Sequence, residues 1–159
     1  MGVLITALTL VLAWVLALLG VTPLGAQPGD DFAETAMRWM LSLPAGPMIL
    51  VSGVMHTFFA KKTAAMIGWQ TNGFQYEIGF ASYGMGLAGL WATGQGPQAW
   101  VALSIVLSVF LLGAAANHIK EMIKDGNFHP GNSVILVYDI GLPLSMWGLL
   151  IFGGMLPTA

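Results

Sequence analysis

Four ionisable side chains stand beside long apolar runs, where a bilayer or a protein core would have to hold them: His56, Glu77, His118 and Asp139. Imidazole and carboxylate together form a ligand set for Zn, Fe or Mn, and the same groups relay protons. Each sits close to a marker of a membrane edge. His56 comes just before Lys61-Lys62, and Glu77 follows a polar turn with Gln70, Asn72 and Gln75. His118 ends an apolar run at Lys120. Asp139 lies about two turns into the last run, about 10 Å deep at 1.5 Å per residue. Four helices thus bring one ionisable group each to a common depth. A charge at the centre of a spanning helix costs about 2.5–3.5 kcal/mol on insertion scales, so such groups face protein or water. One reading is a metal or proton site built from all four. Another is a hydrogen-bonded network that locks the helices in register, with Gln75, Tyr76, Asn117 and Tyr138 nearby; His118 near a helix C-terminus would also favour the helix dipole. Haem b held between His56 and His118 is a third, with no further sequence sign, and substrate binding a fourth. His118-x-x-Glu121 reverses the Glu-x-x-His of di-iron bundles, but Glu121 falls beyond the membrane. The sharpest expectation is that Glu77 lies within direct or water-mediated reach of His56 or His118.

The elements that position these groups follow from composition. In 159 residues, 57% are hydrophobic and 8% charged, against about a quarter charged in ordinary globular chains. That marks an all-α integral membrane protein, expected as a single domain over 1–159. The absence of Cys excludes disulfides, Fe–S clusters and a thiol nucleophile. A net charge of −2 with no basic cluster argues against nucleic acid. The ten Met residues are scattered, which fits flexible packing better than copper ligation. No nucleophile elbow, P-loop or zinc-protease motif is present.

The run lengths predict five membrane helices in one bundle, at about 2–20, 35–60, 74–92, 98–119 and 132–154. The first run has no charge; a cleaved signal peptide is the competing reading, which would leave four. Pro44 and Pro47 remove backbone donors and predict a kink near 42–47, with a second kink signal at Gly141-Leu-Pro143. In the third helix the small residues form two stripes, Glu77–Ala81–Gly84–Ala88 and Gly79–Ser82–Gly86–Gly89, on opposite sides. Small residues let backbones approach closely, so the third helix is expected to be central and the most enclosed. Most of the six Trp residues lie near span ends and read as interface anchors. Lys61, Lys62, Lys120 and Lys124 flank two loops that five spans put on one side. The positive-inside rule makes that side cytoplasmic, with the N-terminus inside and the C-terminus outside a cytoplasmic (inner) membrane.

The combination His56-x-Phe58-Phe59, Ile67-Gly-Trp69, Phe74-Gln-x-Glu77-x-Gly79, Asn117-His118-Ile-x-Glu121 and Pro130-Gly-Asn132 with Asp139 and Pro143 resembles a family of small bacterial and archaeal integral membrane proteins of unknown function. The resemblance spans about residues 36–145. It implies a polytopic helical fold and carries no chemistry with it. The function expected is a small polytopic membrane protein with a polar His/Glu/Asp cluster in its cytoplasmic half, serving as a subunit or accessory factor of a larger membrane complex or associating with itself. The alternative is a metal- or haem-binding redox protein, and a small proton-coupled transporter is a third reading, disfavoured by the lack of inverted halves. The metal candidates are His56, Glu77, His118 and Asp139.

Overall fold

A computed structural model describes residues 2–156, and every regular element among them is helical. α1 runs Gly2–Leu18 and α2 runs Phe32–Phe58. The short α3, Ala60–Met66, follows at once, then α4, Gly73–Ala92, and α5, Pro97–Asp125. The chain closes with α6, Pro130–Phe152, which begins as one turn over Pro130–Ser133 and continues as Ile135–Phe152. Three of these, α2, α5 and α6, are long and apolar enough to cross a membrane. At 17 residues α1 is apolar but shorter, and α4 is diluted by Gln75, Glu77 and its glycines.

The centre of the bundle is α2, not the third long helix. α2 touches α1, α4 and α6, and Ala36, Met37, Met40, Leu41 and Ala45 are all fully buried. Its start is specified locally. Asp31 accepts from the Glu34 backbone N–H while Glu34 accepts from that of Asp31, a closed capping box. The prolines do not break it. Leu41–Met48 winds as a π-helix around Pro44 and Pro47, which spreads the loss of two donors over a wider turn. The Pro44 carbonyl instead accepts from Tyr138 Oη at 2.6 Å, so α6 supplies a donor to the weakened stretch of α2.

The expectation that the third long helix is central is therefore corrected. α4 buries only one of its two small stripes. Gly79, Ser82, Gly86 and Gly89 are buried; a Cβ built on Gly89 would stand 2.6 Å from the Ala45 carbonyl oxygen, and one on Gly86 would stand 2.8 Å from Leu50 N. Glu77, Ala81 and Gly84 are exposed, and a Cβ on Gly84 would meet nothing within 4 Å. The buried stripe makes the close contact to α2; the other stripe is largely open, with Gly84 and Ala88 facing Ala99, Ala102, Leu103 and Val106 of α5 across a shallow groove.

At the end of the bundle remote from His56, Arg38 is 4% exposed and ties three segments together. Its Nε donates to Asp30 Oδ2 at 2.7 Å, and its Nη1 donates to the carbonyls of Thr93 and Gln95. Its guanidinium lies 4.9 Å from the centre of the Trp100 ring. Burial alone would raise the Asp30 carboxyl, but the Arg38 hydrogen bond and charge and the Gln27 backbone N–H outweigh it and hold Asp30 below its ordinary value. Trp100 is itself fully buried and donates to Ala92 O at 2.8 Å. Trp14 donates to Ser145, and Trp147 to Ser108. These three indoles are ties between segments rather than interface anchors.

Candidate functional site

The opposite end of the bundle holds a partly open cavity of about 390 Å³, lined from all six helices and the segment around Trp69. Its walls are mostly apolar, with Met48, Ile49, Phe110, Leu111 and Ile135 among them. Three of the four sequence candidates, His56, His118 and Asp139, line it together with Trp69.

His118 is positioned by the loop and turn that open α6. Gly126 ends α5 in the left-handed conformation, φ +63°, which only glycine adopts at little cost. The chain then returns so that Asn132, with no exposed surface, reaches back to α5. Asn132 Nδ2 lies 2.8 Å from Asn127 O and 3.2 Å from His118 O. Both are carbonyls that only accept, so this end of the amide must be the NH2. Asn132 Oδ1 therefore faces His118 Nδ1, at 2.5 Å, and in neutral His118 the proton sits on Nδ1. Nε2 is left as a bare acceptor.

On its other side His118 Nε2 stands 3.9 Å from Asp139 Oδ2, too far for a hydrogen bond. Asp139 is 3% exposed and His118 8%. The Trp69 ring stacks on the imidazole with centroids 5.5 Å apart and planes inclined by 19°. Three buried polar atoms on cavity residues have no hydrogen-bond partner: Asp139 Oδ2, His56 Nδ1 and Trp69 Nε1. An unpaired buried polar group costs about 1–3 kcal/mol. All three belong to residues that line this one cavity.

Glu77 is not part of this arrangement. It is exposed on the open face of α4 and makes no ion pair or hydrogen bond to either histidine. The helical phase explains this. Gln75 faces inward, donating to Ala60 O at 2.8 Å, and a residue two positions on points to the far side of the helix. Among the described residues no group of three or more His, Asp or Glu stands close enough together to hold a metal ion. The four-residue ligand set is therefore not gathered as expected, and Glu77 is its outlier. Nor does the dipole reading of His118 apply, because α5 continues to Asp125 and the effect is confined to the last turn. Glu121 makes no ion pair with His118.

Sequence reasoning named Asn132 and Trp69 only within motifs and gave neither a place in the site. Neither carries charge, so depth in the membrane did not single them out. The one available signal was the Pro130-Gly131-Asn132 turn ahead of the last helix. Gly131 there packs its backbone against the Met66 carbonyl, where no Cβ would fit.

Fold and site together define a helical bundle of membrane type with a partly open cavity that is polar at one end. The chain belongs to a family of unknown function (DUF6790), whose model matches residues 3–156. No curated protein and no solved structure matches it.

Proposed function

We propose that this chain is a five-crossing protein of the cytoplasmic membrane that binds a small molecule in the cytoplasmic half of its bundle. The observation that carries this is the coincidence of three unpartnered polar atoms, on His56, Trp69 and Asp139, with residues of a single cavity. Its volume lies in the range of about 300–1,000 Å³ found for small-molecule sites, which are likewise mostly apolar with a few polar groups. The five-crossing reading is supported by the positions of the long helices and by the short connection over residues 93–96 on the Arg38 side. Lys61, Lys62, Lys120 and Lys124 all fall near the His118 end of their helices, which supports a cytoplasmic site.

The natural absence of Cys makes a direct test simple. Ser52 lines the cavity, whereas Ser104 is fully buried away from it. Single substitutions Ser52→Cys and Ser104→Cys are exposed to a small thiol reagent in native membranes. Labelling at 52 and none at 104 is expected. Equal inertness of both would remove the accessible cavity, and with it the proposed function.

A further inference from the structure

We infer that His118 and Asp139 bind one proton between them, carried on Nε2 and shared with Oδ2, which makes the polar end of the cavity a proton-binding site. The inference goes beyond small-molecule binding and requires no ligand in the cavity. With Asn132 Oδ1 facing Nδ1, the neutral ring keeps its proton on Nδ1 and presents a bare Nε2. An ionised Asp139 likewise only accepts. Two buried acceptors therefore stand 3.9 Å apart, and Oδ2 has no partner. One proton turns them into donor and acceptor. An approach of about 1 Å then gives the roughly 2.7–2.9 Å of a charge-assisted hydrogen bond.

The separation itself selects the proton. A water, hydroxyl or ammonium bonded to both atoms at about 2.8 Å would see them at an angle of about 90°, sharper than the tetrahedral spread of its own bonds. A metal ion needs further ligands, and among the described residues no third His, Asp or Glu stands close enough. The surroundings suit a charged ring. Asn132 Oδ1 accepts from Nδ1–H in the neutral and the protonated imidazole alike, so the proton enters at Nε2. The Trp69 ring stacks on the imidazole with centroids 5.5 Å apart, and an indole face attracts a cation within about 6 Å. Of the other titratable groups, His56 on α2 lines the same cavity, and Tyr138 on α6 is bonded to the Pro44 carbonyl. α1 has none, and Glu121 on α5 makes no ion pair with His118. Lys61 and Lys62 on α3, Glu77 on α4, Lys120 on α5 and His129 before α6 are exposed.

The test uses the whole protein in lipid bilayers, labelled with ¹⁵N-histidine and ¹³C-aspartate, and solid-state NMR from about pH 9 to about pH 5, the range in which imidazole titrates. On acidification His118 should gain its proton at Nε2 while Nδ1 stays protonated throughout. The distance from Nε2 to the Asp139 carboxyl carbon should shorten by about 1 Å. Asp139→Asn keeps the shape and removes the charge, so His118 should hold its proton at least about tenfold more weakly there. His56 should titrate as in the wild-type chain. Uptake at Nδ1, an unchanged distance, or equal proton affinity of His118 with and without the carboxylate would each overturn the shared proton. So would an equal displacement at His56, the sign of a general rearrangement. The distance is measured on the wild-type chain and decides the matter even where the variant does not fold. Thiol labelling at Ser52→Cys reports on the cavity separately, so inertness there removes the small-molecule reading and leaves the proton pair to its own result.

Discussion

Asp139 is held in a buried position without a hydrogen bond to Oδ2, and a group of that kind lowers stability unless something else selects for it. Asp139→Asn keeps the shape and removes the acid. We expect its melting temperature to equal or exceed that of the wild-type chain; a fall of more than about 4 °C, roughly 1 kcal/mol or more at this size, would show that the carboxyl stabilises the empty fold. Arg38 is the opposite case, since every side of its guanidinium is used. Arg38→Ala should cost about 1–3 kcal/mol because the carbonyls of Thr93 and Gln95 would lose their donor and Asp30 would keep only the Gln27 N–H. The pair also sets a pH dependence. The folded carboxyl of Asp30 lies below its unfolded value of about 3.9. The stabilisation is therefore complete above that unfolded value and fades as pH falls through the lower folded one. The stability gap between wild type and Asp30→Asn should be constant from neutrality to about pH 5 and close on further acidification, as a pH series of thermal melts would show. Of the four residues singled out by charge and depth, His56, His118 and Asp139 line the cavity. Asn132 and Trp69 were not legible, because a neutral partner leaves no mark on a hydropathy profile.

The elements were legible where a single rule decided them. Apolar run lengths and the turn residues located every long helix to within a few residues, apart from α5, which runs on past the apolar stretch to Asp125. The prolines of α2 signalled disturbed winding, which takes the form of a π-helix whose Pro44 carbonyl accepts from Tyr138. Partner choice was not legible. Two small stripes on α4 license two close contacts, and nothing in the sequence says that only one is occupied. This gives a sharp comparison within one helix. Gly89→Leu drives a side chain into the Ala45 backbone, and overpacking of this kind costs about 1–3 kcal/mol or more. Gly84→Leu faces open space and should be tolerated. Unfolding of the two variants in mixed micelles measures the difference; equal loss would mean that the outer stripe is packed as well.

For the whole molecule, the sidedness of the bundle links the charges of its loops to the position of its cavity. A reporter active only in the cytoplasm should be silent when fused after Gln95 and active when fused after Lys124. A cytoplasmic signal at Gln95 would invert the bundle and place the cavity on the outer side. The general class was plain from composition, since a chain with so few charges cannot cover a water-facing surface. The cavity was not foreseeable, because it arises where several helices, α4 among them, fail to fill the space between them, and that depends on relative helix placement rather than on any one helix.

The central claim is that the polar end of this cavity is held open for a partner from outside the chain. It is tested most directly by nitrogen NMR of the protein labelled with ¹⁵N-histidine, with His118 assigned by substitution. For the neutral ring the prediction is a proton on Nδ1, bonded to Asn132, and an unprotonated Nε2. A proton on Nε2 would contradict it, since His118 could then donate toward Asp139 and the two would satisfy each other without a ligand.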